Sequence, residues 1–189
     1  MGRDAIQDHK IMENFMMREN NCLSEEDCEC LIDFFNKNEK IAKQGDIGNI
    51  MKLDDLEIPI SVFSSPFLKK NILKAFNTYE NKFPLLKTNH NQWQVDDIAY
   101  LMRYEPKDHY SYIHCETDGS PNRVLAWMIY LNTIKIGGGT EFIHQKTTLF
   151  PIAGDLYIWP ANWTYMHRGV PAPNERKYII TGWASNIYH

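Results

Sequence analysis

The sequence has little cysteine, no surplus of positive charge and no long apolar run, and each shortage removes a class of protein. Four cysteines in 189 residues, Cys22, Cys28, Cys30 and Cys115, are too few for a disulfide-stapled secreted fold. Cys28 and Cys30 stand two apart in a helical pattern, where their side chains point about 200° apart and cannot chelate one ion together. Lys and Arg number 20 against 24 Asp and Glu, a net charge of −4, which lacks the basic footprint of a nucleic-acid binder. No stretch approaches the roughly 20 apolar residues of a membrane helix. The first residues carry no apolar secretory core, and Ile6 stands where a myristoylation signal has Ser or Thr. The expected setting is the cytoplasm, with neither nucleic acid nor membrane as partner.

What is present points to one globular domain: 43% of residues are hydrophobic and 13% are aromatic, a share that suits a β-rich core or an aromatic-lined pocket. The chain divides into a helical support, 1–90, and a strand-rich core, 91–189. Ser24 ahead of Glu25-Glu26-Asp27 predicts a capped helix start, with Leu31, Ile32, Phe34 and Phe35 as the buried stripe. A second helix is predicted from Pro66, which the first turn tolerates. Its apolar positions are Phe67, Leu68, Ile72, Leu73, Ala75 and Phe76, and Pro84 ends it. Lys43 to Pro59 reads as a loop or as carrying a short strand. From Gln92 onward, strands are predicted at 93–104, 109–115, 123–132, 139–143, 147–150, 155–159, 164–168 and 177–184, separated by Gly, Pro, Asn and Asp clusters. Strands in such a run, with no helix between them, imply an antiparallel sandwich or open barrel.

His114-Cys115-Glu116 places a histidine and an acid two residues apart at a predicted strand end, where both side chains leave the same face. With 7 His and 24 acids in 189 residues, roughly one such pair arises by chance, so the pair needs a third partner. His167, between two predicted strands, is the natural one. Two imidazoles and one carboxylate form the facial triad that suits Fe(II) and leaves three coordination positions open. His114, Glu116 and His167 are therefore the candidate metal-binding and catalytic residues. Strand alternation turns Lys177, Ile179, Thr181 and Trp183 to one face and Tyr178 and Ile180 to the other. A cation inside a barrel needs an anionic partner. A dicarboxylate supplies it, with Lys177 pairing and Thr181 donating a hydrogen bond.

These residues, with several short segments in fixed order, make the chain resemble the prolyl-4-hydroxylase-like group of 2-oxoglutarate and Fe(II)-dependent dioxygenases over residues 93 to 185. Tyr104 lies ten residues before His114. Met128-Ile129-Tyr130-Leu131-Asn132, Gly138-Gly139-Thr140-Glu141-Phe142 and Ala153-Gly154-Asp155-Leu156-Tyr157-Ile158-Trp159 follow in the family's order. His167 and then Lys177 ten residues on match its closing motif. The resemblance implies a mainly β fold, a double-stranded β-helix (cupin-like jelly roll) with the N-terminal helices packed on one sheet. It also implies Fe(II) on His114, Glu116 and His167, and 2-oxoglutarate as co-substrate. Lys177 and Thr181 would hold the distal carboxylate, while Tyr104, Tyr130 and Trp183 line the same pocket. Dioxygen is the implied oxidant and ascorbate an accessory reductant. The implied reaction hydroxylates an unactivated C–H bond, with a prolyl residue of a peptide or protein as the favoured acceptor.

Two departures from the family pattern carry consequences. The usual pair is His-x-Asp, whereas this chain has His-x-Glu, with Asp118 as an alternative acid. Arg176 also stands beside Lys177 and competes for the role of carboxylate anchor. The rival readings are a non-catalytic cupin-like binding module, and a hydroxylase of the same superfamily acting on a small molecule.

Overall fold

In the computed structural model, which describes residues 14–47, 51–87 and 92–187, the helix expected after Ser24 is α1, Glu25–Lys37. Ser24 Oγ accepts the Asp27 N–H at 3.1 Å and Asp27 Oδ2 accepts the Ser24 N–H at 3.2 Å, a capping box that satisfies free amides at both positions. The buried stripe is Cys28, Leu31 and Phe35, while Phe34 is turned outward. Helix α2, Pro66–Lys82, buries Leu68, Ile72, Ala75, Phe76 and Tyr79, with Pro66 in its first turn.

The strands are β1 (Met17–Glu19), β2 (Lys43–Ile47), β3 (Met51–Ser61), β4 (Trp93–Val95), β5 (Ile98–Tyr104), β6 (Arg123–Tyr130), β7 (Thr140–Phe142), β8 (Thr147–Leu149), β9 (Leu156–Pro160), β10 (His167–Gly169) and β11 (Lys177–Asn186). They form a large sheet in the order β1-β9-β6-β11-β5-β3-β2, with β4 also on β11, and a small sheet β10-β7-β8. Every pairing is antiparallel. This is the mainly β, double-stranded β-helix architecture expected, with helices on one side.

The large sheet has two apolar faces. Its outer face (Leu101, Trp127, Ile129, Ile158, Tyr178 and Ile180) joins one core with the α1 and α2 stripes. Its inner face (Met102, Tyr104, Ala126, Met128, Tyr130 and Ile179) joins a second core with Phe142, Leu149 and Tyr165 from the small-sheet side. Burial on both faces explains why β6 and β11 read as nearly continuous apolar runs.

Besides β1, which no predicted element covers, and 93–104, which breaks at Asp96-Asp97 into β4 and β5, three stretches differ from expectation. Lys43 to Pro59, open between loop and short strand, yields β2 and the 11-residue β3. Thus the first 90 residues supply strands as well as helices. Residues 109–115 form no strand. His114 pairs with His167 as an isolated bridge, but the Gly169 N–H reaches Tyr110 O at 2.7 Å, where a continuous antiparallel ladder would bring residue 112. The chain bulges outward between those contacts and leaves Tyr112 and Ile113 exposed. Residues 164–168 are split, because Asn162 Oδ1 accepts the Thr164 N–H at 3.0 Å and turns 163–165 into a 3₁₀ turn before β10 begins.

Candidate metal centre and co-substrate cavity

The two histidines meet through backbone pairing. The His114 N–H donates to His167 O at 3.0 Å and the His167 N–H to His114 O at 2.9 Å; such a pair directs both side chains to one face. Each imidazole is then oriented by its other nitrogen. His114 Nδ1 lies 3.0 Å from Tyr112 O and His167 Nδ1 lies 2.9 Å from Tyr165 O, which leaves both Nε2 atoms free to act as candidate ligand atoms. Glu116 is fixed by its own N–H, which donates to Ala161 O at 3.0 Å. Its Oε1 lies 3.2 Å from His167 Nε2 and 3.8 Å from His114 Nε2.

The three donor atoms all lie within 4.8 Å of one another, the one such group of His, Cys, Asp or Glu among the described residues. Asp118 is exposed and outside it. Burial would raise the Glu116 carboxyl, but the hydrogen bond and charge of His167, with help from His114 and Trp183, bring it down to about 2. Burial and the neighbouring His167 push His114 below its ordinary value. A carboxylate beside a neutral imidazole is the ligand form a divalent cation requires. The donor set therefore fits Fe(II), with hard oxygen and imidazole nitrogen and no thiolate.

The triad opens into a cavity of about 400 Å³, a size suited to small-molecule ligands. Lys177, Thr181, Tyr104 and Trp183 line it. Strand register explains their grouping: Lys177 pairs with Tyr104, Ile179 with Tyr130, Thr181 with Tyr100 and Met128, and Trp183 with Ala126. Directly opposed residues share a face. Lys177 is 4% exposed, its Nζ 4.3 Å from the Tyr104 ring centroid, a cation–π contact that partly replaces lost hydration. Burial pushes its ammonium down to about 8, against the pull of Asp55. Arg176 is turned away and pairs with Glu105 at 3.0 Å. Thr181 Oγ1 donates to Trp127 O at 3.0 Å, so its lone pairs rather than its proton remain toward the cavity. Tyr130, expected in the pocket, does not line the cavity: it is fully buried, with Oη 2.9 Å from Oγ1 of Thr140, which does line it. The Trp183 indole N–H donates to Glu116 Oε2 at 2.7 Å.

Arg123, Tyr100, Tyr110, Met128 and Thr140 also line the cavity and were not singled out from sequence for this site. Tyr100 and Met128 were within reach of the alternation argument, since each keeps step with Tyr104 or Tyr130. Arg123 was not. A bulge opposite Ala184 and Ser185 sends Val124 and Leu125 to the same outer core, so Arg123 crosses to the inner face against simple alternation. His144 is exposed, and Arg168 pairs with Glu141 at 2.7 Å; neither lines this cavity.

Residues 99–185 match the 2OG-Fe(II) oxygenase superfamily. No curated protein matches the chain by sequence. Among solved structures, the viral collagen prolyl hydroxylase of Paramecium Bursaria Chlorella virus-1 in complex with 2OG aligns at TM-score 0.72 and 20% identity, covering 97% of this chain and 100% of the other. A Pseudomonas putida prolyl-4-hydroxylase aligns at 0.68 and 14%, covering 93% and 94%. A Trichoplax adhaerens prolyl hydroxylase, in complex with a hypoxia inducible factor oxygen degradation domain peptide fragment, aligns at 0.70 and 14%, covering 92% and 84%. At these identities the likeness is one of fold.

Proposed function

We propose that this chain, whose residues 99–185 match the 2OG-Fe(II) oxygenase superfamily, is an enzyme using Fe(II), 2-oxoglutarate and dioxygen that hydroxylates a prolyl residue in a peptide or protein. The observation that carries the assignment of roles is the placement of a buried, unusually acidic lysine and a His-Glu-His donor set on the walls of one cavity.

His114, Glu116 and His167 hold the iron, which supplies dioxygen activation coupled to decarboxylation of 2-oxoglutarate. Lys177 pairs with the distal carboxylate of the co-substrate, and that anion answers the cost of burying an ammonium. Tyr104 supports Lys177 through its ring. Thr181 and Trp183 bound the space the dicarboxylate would occupy, and Tyr130, buried behind that wall, supports it through Thr140. The inner core excludes water from the reacting atoms.

A prolyl acceptor is supported by the rim. Tyr100, Tyr110 and Tyr112 line the cavity, Tyr112 with half of its surface in solvent, and aromatic-lined grooves receive extended proline-rich segments. The viral and Pseudomonas putida proteins aligned above are prolyl hydroxylases by name. The test measures Fe(II)-dependent succinate formation from 2-oxoglutarate with proline-containing peptides and with free amino acids as acceptors. Hydroxyproline in the peptide, with turnover well above the acceptor-free rate, is the expected result. Stimulation by small acceptors alone would transfer the activity to a small-molecule substrate.

A further inference from the structure

The two carboxylate oxygens of Glu116 face different surroundings. Oε1 faces His167 Nε2 at 3.2 Å and His114 Nε2 at 3.8 Å. Oε2 is turned the other way, accepts the Trp183 indole N–H at 2.7 Å and lies 3.7 Å from Arg123 Nη1. Arg123 also donates from Nη1 to Glu116 O at 3.2 Å, and its guanidinium carbon sits 3.5 Å from the Trp183 ring centroid. Tyr100 meets the same indole edge-on, with centroids 5.8 Å apart. The indole is thus fixed on one side by a cation and on another by an aromatic ring, on a strand paired to both neighbours.

A glutamate has one more methylene, and one more torsion, than the aspartate of the usual His-x-Asp pair. Left free, its carboxylate can swing away or offer both oxygens to the metal, and the second mode would occupy a position that co-substrate or dioxygen needs. We propose that Trp183 and Arg123 are positioning residues that hold Glu116 as a one-oxygen ligand, and that this hold is what allows His-x-Glu to serve here. Trp183 then acts on the metal through Glu116, in addition to bounding the cavity. The inference rests on the reading of His114, Glu116 and His167 as the metal triad.

Co(II), added to the metal-free protein and followed by its visible absorption, reports affinity and coordination without turnover. Trp183→Phe keeps a ring and removes the N–H. It is expected to weaken Co(II) binding roughly 10- to 100-fold, the usual cost of losing a partner behind a ligand, and to change the band shape, with thermal unfolding of the metal-free protein little altered. Arg123→Gln is expected to weaken binding in the same direction by less. Glu116→Asp draws the carboxylate back by one methylene from the Trp183 N–H, so in that background Trp183→Phe is expected to cost little further affinity. Equal losses in both backgrounds, or unchanged Co(II) affinity and spectrum in Trp183→Phe, would overturn the inference and leave the triad standing. Failure of the unaltered protein to bind Co(II), or full binding by His167→Ala, would overturn the triad and this inference with it.

Discussion

An ammonium group buried as deeply as that of Lys177 loses its hydration, and burial accordingly brings it down to about 8. A carboxylate arriving beside it favours the charged form again. Below pH 8 the lysine is already protonated when 2-oxoglutarate binds; above it, a proton must be taken up with the ligand. Affinity of the metal-loaded protein for 2-oxoglutarate should therefore fall about tenfold per pH unit above that value and level off below it. Calorimetric titration at several pH values reads this directly, and Lys177→Arg, which stays charged, should flatten the slope. Removing the charge with Lys177→Ala should weaken 2-oxoglutarate binding roughly 10- to 100-fold, the worth of a charge-assisted bond, with metal affinity retained. Arg176→Ala should change either affinity by less than about threefold, as expected for an exposed ion pair; the opposite ranking would reassign the anchor. The inward turn of Lys177 was legible because it alternates with the apolar Tyr178 and Ile180 in an unbroken strand. The inward turn of Arg123 was not, because a bulge reverses the parity of β6 and no residue type in Arg123-Val124-Leu125 announces it.

At the scale of elements, the site depends on short backbone pairings more than on long strands. The His114–His167 bridge is two hydrogen bonds long, yet it sets the two candidate ligands side by side. A strand is expected over 109–115 because an aromatic run there is bounded by turn residues; the outward bulge at Tyr112 and Ile113 depends on contacts with β10, more than fifty residues away. β3 was hard to read for the opposite reason. Asp55, Glu57 and Pro59 disfavour a strand locally, but Leu56, Ile58 and Ile60 pack into or against the outer core, and that packing overrides propensity. β11 carries a tighter constraint at Gly182, where an added Cβ would lie 2.5 Å from Cζ2 of the fully buried Trp127. Gly182→Ala is expected to destabilise the fold by about 1–3 kcal/mol through overpacking, read as a lowered midpoint in urea. Because Thr181 and Trp183 flank it, the surviving folded protein should also bind 2-oxoglutarate more weakly.

Across the whole molecule, the class of fold was legible from many short strands divided by turns, whereas the order β1-β9-β6-β11-β5-β3-β2 was not, since most neighbours are distant in sequence. That order places the ligand contacts on separate parts of the structure. His167 belongs to the small sheet, His114 and Glu116 to the connection between β5 and β6, and Lys177 to the large sheet. A metal ion on the proposed triad would therefore tie the connection to the small sheet, and 2-oxoglutarate paired with Lys177 would tie the large sheet to both. Ligands that bind only the folded state stabilise it by mass action, about 2.7 kcal/mol at a hundredfold excess over Kd. For a chain of this size that is a rise of several degrees in thermal midpoint. Co(II) alone should raise the midpoint, 2-oxoglutarate alone should raise it little, and the two together should raise it by more than the sum. His167→Ala should abolish the Co(II) increment and, with it, most of the 2-oxoglutarate increment. Lys177→Ala should keep the first and lose most of the second. A 2-oxoglutarate increment of full size without metal, or one that survives Lys177→Ala, would mean that the dicarboxylate does not bridge the triad and the large sheet.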